Sequence, residues 1–348
     1  MSFVYLEEGE GSHVRSGSLR RAFSAGQEKT ARGTSTPTLA RAPSACMEAV
    51  ARALGPAASE AWHRLGPSLE QFVAEQQRFK LVYTSQPTWP VLPASCERAH
   101  IAVLDASFNP PTRAHAGLAH LRPATSPHHF DAHILLFSVR NADKGRGRPG
   151  DASPLHRLHM MLLLAQHLEQ SDMQVAVALV DEPLVFAKST LLHTHLRASA
   201  PLHLHWLMGS DTLVRVFQPK YYGSEAALVH ACDRFFAQEQ SHMLCAERSP
   251  TSVQGTAGLP GAAALAQATS PELHELLAHS ALARHWLEQG GIALRPLDPD
   301  VARHSSTAVR TFLTEAETQG MSREDLVNAL HTMVPAPVAR YLAEAHVY

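Results

Sequence analysis

A chain of 348 residues, 45% of them hydrophobic, can build one large domain or a domain plus appendages. Its 30 Lys and Arg against 32 Asp and Glu leave a balanced surface, which gives no electrostatic case for nucleic acid or a membrane as the main partner. Four cysteines, Cys46, Cys96, Cys232 and Cys245, stand without a CxxC pair and read as free thiols of a reducing compartment. No apolar run approaches the roughly 18 residues needed to span a bilayer. The 23 histidines include His128-His129 and the pairs His193/His195 and His203/His205, but no HExxH or Cys/His ladder accompanies them to argue for a structural metal.

Residues 1–44 are rich in Ser, Gly, Arg, Thr and Ala without an apolar period, and predict a disordered tail. Arg20-Arg21-Ala22-Phe23-Ser24 has the flavour of an organellar transit segment, but Glu7, Glu8 and Glu10 speak against one. From Ala45 to about Leu81 the pattern turns helical. Met47, Val50, Ala51 and Leu54 make one face and Leu69, Phe72, Val73 and Phe79 another. Residues 45–95 thus read as a helical lead-in that closes in a proline-containing linker, Gln86 to Pro93, and 96–348 as the main domain.

The stretch Ile101 to His120 carries the first chemical signal. Ile101-Ala102-Val103-Leu104 is a short apolar run of the kind a buried strand requires. Asp105 to Asn109 form a tight polar turn, and Pro110-Pro111 suits a helix start, where a missing N–H has no intrahelical partner to lose. Thr112 to Ala119 read as that helix, with Thr112 and His115 on one face. Strand, turn and helix start aim free N–H groups and a positive dipole end at one point, which suits a phosphate. A capping histidine in an ordinary helix start is the alternative that spacing leaves open.

His133 to Val139 is a second buried strand, followed by a glycine-rich loop that carries Lys144. Ser153 to Met161 predict a capped, mostly buried helix, Gln174 to Val180 a third strand, and Asp181 to Thr190 the opening of another helix. Leu202 to Met208 is a fourth strand that ends in Gly209-Ser210-Asp211, where Asp211 is either a helix cap or a polar ligand. His242 to Cys245 fall in a fifth strand, with Arg248 just past its end. Residues 250–271 predict an inserted flexible loop, 272–289 one helix, and Ile292 to Leu294 the last strand. Then comes Arg303 to Arg310, RHSSTAVR. Ser305, Ser306 and Thr307 are N-cap residue types, and Val309, Phe312, Leu313 and Ala316 follow as a buried face. Thr307 and Arg310, one turn apart, offer hydroxyl, N–H and guanidinium to an anion. Two short helices near 322–333 and 336–346 end the chain. The alternation predicts an α/β fold, a doubly wound parallel sheet with both signals on its carboxyl edge.

SFNPPTRAH resembles the (H/T)xGH signature of the nucleotidylyltransferase superfamily, with Thr112 and His115 at the signature positions, and HSSTAVR resembles its ISSTxxR signature. With the GSD at 209–211 and the HRLHM at 156–160, the pattern is similar to nicotinamide mononucleotide adenylyltransferases. It is nearest a fungal subgroup that carries LDxSFNPPxxAH, here Leu104 to His115, and a Phe–Lys–Ser segment, here Phe186-Ala187-Lys188-Ser189. The resemblance runs over residues 70–346 and implies a Rossmann-like nucleotidylyltransferase fold. The implied activity joins ATP and nicotinamide mononucleotide into NAD and pyrophosphate, in cytoplasm and nucleus. It assigns His115, Thr112 and Arg310 to catalysis. It gives Ser107, Phe108, Lys144, Ser306, Thr307 and Arg310 to ATP and its phosphates, and Gly209, Asp211 and Arg248 to the pyridine nucleotide. Mg²⁺ would be held mainly by the substrate phosphates, and Trp206 and Trp89 are candidates to stack on the pyridine. Two departures stand out: Ala106 where most members have Gly, and Ala114 for the signature's second Gly. Transfer to another phosphorylated acceptor, or a nucleotide-binding scaffold without catalysis, are the competing readings. The missing RTxGxST run and the intact His115, Ser306, Thr307 and Arg310 weigh against them.

Overall fold

The structure, a computed structural model, describes residues 45–122, 129–140, 150–196, 198–248 and 270–348, without the side chains of residues 45–47 and 248. The tail expected over residues 1–44, the loop that carries Lys144 and the bulk of the insertion expected at 250–271 lie outside the described residues.

Helices α1 (Ala45–Arg52) and α2 (Pro56–Ala74) lead into β1 (Phe79–Thr84). Then follow β2 (Ala99–Asp105), α3 (Arg113–Ala119), β3 (Ala132–Ser138), α4 (Pro154–Glu169), β4 (Val175–Val180) and α5 (Val185–His195). Next are β5 (Leu202–Gly209), α6 (Ser210–Val216), α7 (Glu225–Cys232) and β6 (His242–Arg248). Helices α8 (Pro271–His279) and α9 (Ala281–Glu288), β7 (Ile292–Leu297) and the single turn α10 (Pro299–Ala302) come after the insertion. The chain closes with α11 (Ser306–Thr318), α12 (Arg323–Leu330) and α13 (Ala336–Ala345).

The strands form one sheet in the order β1-β4-β3-β2-β5-β6-β7, parallel throughout except for β1, which pairs antiparallel with β4 at the edge. Helices cover both faces, so the central strands β3 and β4 are apolar on both sides and read as nearly unbroken hydrophobic runs. In β3, Leu135 and Phe137 enter one core with Trp62, Leu65, Leu158 and Val338, while Ile134 and Leu136 enter the other with Phe186, Leu192, Phe235 and Trp286. Each such side chain contributes about 1.5–3 kcal/mol by leaving water. The expected doubly wound α/β sheet is therefore present. Strand order reverses between β2 and β5, and at such a switch point the carboxyl ends of the strands leave an open crevice.

Two elements differ from the sequence reading. The helical pattern expected to about Leu81 stops at Ala74, where Gln76 takes a left-handed conformation (φ 50°), and Phe79 to Thr84 form β1. Phe79 keeps helical spacing with Phe72, yet FKLVYT is rich in the aromatic and β-branched types that suit a pleated, half-buried edge. The single helix expected over 272–289 is two, broken at Ser280, whose Oγ accepts the Ala283 N–H at 3.1 Å and so starts the second. No helix among the described residues is long and apolar enough to cross a membrane.

The amino edge of the sheet gathers histidines. Parallel register sets His100 beside His203 and His205 beside His242, and His100 Nδ1 lies 2.9 Å from His205 Nε2. Burial lowers the pKa of all four, aided in His203, His205 and His242 by repulsion from neighbouring histidines: His203 to about 4 and His205 to about 2. Burial also takes His133 to about 4. A histidine so lowered binds its proton better when unfolded, so the stability it allows is full above the unfolded value of 6.5 and falls as pH drops below it. His115, His156, His159, His167, His193 and His304 are lowered by burial too, which makes eleven histidines among the described residues. The carboxyls Glu169 and Glu247, with raised pKa, act in the opposite sense but are only two. The urea midpoint of unfolding is expected to fall steadily from about pH 7 to pH 4.5. A midpoint that holds or rises over that range would show that these imidazoles are not shielded from water as described.

Candidate active site

The turn after β2 is held by polar bonds to distant segments. Asn109 is 3% exposed, and its Nδ2 donates to Asp151 Oδ1 at 2.6 Å. Its Oδ1 accepts from the Ala152 N–H at 3.0 Å and from the Tyr348 hydroxyl at 3.1 Å. The Asn109 carbonyl accepts from Arg310 Nη1 at 2.6 Å, and the next carbonyl, that of Pro110, accepts from Ser306 Oγ at 2.8 Å. The two motifs, far apart in sequence, are thus bonded to each other. Gly117 helps bring them close: a Cβ there would sit 2.7 Å from Val301 Cγ1, so a larger residue would push α3 off α10.

His115 is oriented from behind. Its Nδ1 accepts the Thr112 backbone N–H at 3.0 Å, with Thr112 Oγ1 also 3.0 Å away. An Nδ1 that accepts carries no proton, so the neutral ring is the Nε2–H tautomer and has its one donor free of the cap. Burial lowers its pKa to about 4, which keeps the ring neutral near pH 7. Phe108, fully buried with φ 46°, tilts its ring against the imidazole at 5.4 Å.

A cavity of about 980 Å³ opens at the carboxyl edge where β2 and β5 part. Of the residues the sequence reading assigned to a site, Ser107, His115, Gly209, Asp211 and Ser306 line it. Phe108, Thr112, Thr307 and Arg310 do not. Phe108 and Thr112 stand behind His115, and Arg310 spends its guanidinium on the Asn109 carbonyl and Thr307 Oγ1. Lys144 lies outside the described residues, and Arg248 ends β6 with its side chain undescribed. Asp211 occupies the first turn of α6, capped by Gly209, and its carboxylate is 79% exposed and paired with Arg215 at 3.2 Å. The proposed stacking tryptophans are misplaced. Trp206 and Trp89 are buried in the core, and the aromatic rings that line the cavity are Phe137, Tyr221 and Tyr222.

Three lining groups escaped the sequence reading. Lys188 of α5, 4% exposed, pairs with Asp105 at 2.5 Å. Arg157 of α4 pairs with Asp151 at 3.2 Å and lies over the Phe137 ring. Glu247, 5% exposed at the end of β6, has no hydrogen-bond partner for Oε1 among the described residues, and burial raises its pKa to about 7. The FAKS segment was the one available signal for Lys188, while nothing local marks a glutamate that will be buried.

Removing one member of a buried ion pair strands the other charge. Lys188→Met should cost about 3–5 kcal/mol of stability, and Lys188→Met with Asp105→Asn should recover part of it. Denaturant unfolding of the two variants checks this. A double variant no more stable than the single would mean that the pair is not coupled.

No family model matches the chain. A Schizosaccharomyces pombe protein named "Putative nicotinamide mononucleotide adenylyltransferase" is 34% identical over 156 residues, which is 45% of this chain and 55% of that protein. The chain thus matches little more than half the length of that relative. Two solved structures of Plasmodium falciparum nicotinic acid mononucleotide adenylyltransferase also match. The one complexed with APC has TM-score 0.39 at 12% identity, covering 72% of this chain and 97% of that one. The one complexed with NaAD has TM-score 0.39 at 13% identity, covering 70% and 95%. In sequence, then, the chain resembles the nucleotidylyltransferases, and among them a fungal protein named for nicotinamide mononucleotide adenylyl transfer.

Proposed function

We propose that the chain is an adenylyltransferase that joins ATP to nicotinamide mononucleotide and releases NAD and pyrophosphate. The observation that carries this reading is the bonded union of the two motifs. Ser306 and Arg310 donate to the carbonyls of Pro110 and Asn109. That junction meets His115 at the crevice where the sheet order reverses. The S. pombe relative's name supports the choice of acceptor.

In this reading an oxygen of the acceptor's phosphate attacks the α-phosphorus of ATP in line. The bond from that phosphorus to the bridging oxygen breaks, and its electron pair leaves with pyrophosphate. The attacking oxygen is already anionic, so no side chain has to remove a proton. What the protein supplies is position and charge stabilisation. His115 Nε2–H donates to a phosphate oxygen, and the first N–H groups of α11 bind its neighbours, while the Ser306 hydroxyl, spent on the Pro110 carbonyl, holds the start of α11 against the turn. Arg310 holds the turn, and Thr112 and Phe108 fix the His115 ring. Lys144 and Thr307 are assigned to the β- and γ-phosphates, and Gly209, Asp211 and Arg248 to the pyridine nucleotide. Mg²⁺ would be held mainly by the triphosphate oxygens, hard donors that suit it, and would offset their charge. Cytoplasm and nucleus are the proposed locations, in keeping with the free thiols of Cys96, Cys232 and Cys245.

Pyrophosphate release with ATP and Mg²⁺ is to be followed against nicotinamide mononucleotide, nicotinate mononucleotide, phosphopantetheine and phosphocholine. Turnover confined to the pyridine mononucleotides is expected; turnover with another acceptor moves the substrate, and none with any of them overturns the enzyme reading. His115→Ala should lower kcat by about 10²–10³ with ATP affinity nearly unchanged. An unchanged kcat would remove His115 from the chemistry.

A further inference from the structure

The cavity is divided by the sheet it sits on. His115 and Ser306 belong to elements packed on the face whose core holds Ala116 and Val309. Glu247 follows Cys245 by two residues in β6 and so shares the opposite face, whose core holds Cys245 and Phe186. Tyr222, whose ring meets Phe186 at 5.5 Å, lines the cavity on that second side. If the phosphates lie against His115 and Ser306, the second side receives an aromatic base.

Glu247 is the group in that half whose needs are unmet. Oε1 is buried and lacks a partner among the described residues, and a buried acceptor without a donor costs about 1–3 kcal/mol. The other charged groups lining this side are Asp105, Lys188, Asp211, Arg215 and Glu272. Lys188 is committed to Asp105 at 2.5 Å, and Arg215 pairs with Asp211. A ligand that brings a neutral N–H donor to Glu247 satisfies it, whereas a ligand that brings a carboxylate meets a like charge.

We propose that Glu247 selects the acceptor by the substituent on its aromatic ring, taking the N–H of a neutral carboxamide and turning away the corresponding carboxylate. This rests on the adenylyl-transfer reading above. The raised pKa adds a signature. Near and above about 7 Glu247 ionises and repels a carboxylate, while below that it holds a proton and can itself donate to one.

Calorimetric Kd and kcat/KM for nicotinamide and nicotinate mononucleotides, measured on the full chain between about pH 6 and 8.5, test this. The wild-type protein is expected to prefer the amide at least about tenfold at the upper pH, with the preference shrinking towards pH 6. Glu247→Gln should bring the ratio near unity and erase its pH dependence while leaving KM for ATP unchanged, and Glu247→Asp should restore the preference. The acceptors' own phosphates titrate alike and cancel in the ratio. An unaltered ratio in Glu247→Gln, a loss confined to ATP, or binding of neither mononucleotide would overturn the proposal. Discriminating binding without turnover would uphold Glu247 and overturn adenylyl transfer, and indiscriminate turnover that the substitution does not change would do the reverse.

Discussion

Asn109 is the residue on which the geometry of the crevice depends. Its side chain ties the β2 turn to Asp151 and Ala152 at the start of α4 and to Tyr348, and its carbonyl receives Arg310 from α11. At 3% exposure these bonds form in a medium of low dielectric, where each is stronger than in water and each missing one costs more. The network holds a strained neighbour. Phe108 has φ 46°, a conformation that costs a non-glycine residue on the order of 1–3 kcal/mol. That conformation presses its ring against His115.

The same economy of charge governs the rest of the crevice. Asp105, Asp151 and Asp211 each face a cation within 3.2 Å, and Glu247 and Glu272 line the cavity as well, so the described lining has no excess positive charge for anions. In the proposed reaction the described part of the crevice would offer a polyphosphate directed neutral donors, His115 Nε2–H and the N–H groups that open α11. Such donors are fixed before the ligand arrives and need no reorganisation as charge develops. This explains why so much of both motifs is spent on positioning: Thr112, Phe108 and Arg310 act on the donors.

Both motifs were legible because their chemistry is local. Proline at a helix start, Ser305 as a cap and a histidine three residues past Thr112 announce themselves within a dozen residues. The parallel strands were legible because burial on both faces leaves continuous apolar runs. What could not be read was whatever depends on distant partners. FKLVYT satisfies a helical spacing and an edge strand equally, and only pairing with β4 decides. Ser280 interrupts a helix without glycine or proline to mark the break. Trp206 was plausible for stacking until the sheet closed over it. Glu247 looks like any strand-end glutamate, and its burial comes from the covering of the second sheet face.

The two ends of the sheet carry opposite demands, and β2 and β5 connect them. β2 carries His100 near its start and ends at Asp105, and β5 carries His203 near its start and ends at Gly209. Four apolar residues of each strand lie between, a stretch too well packed to yield at one end alone. The imidazoles at the amino end must stay neutral for these strands to pack, while the turn at the carboxyl end must hold Phe108 strained against His115. Burial lowers the pKa of His115 and of His203 alike, to about 4, so acid bears on both ends of these strands over the same range. Protonation at either end opposes the packing that the other end depends on.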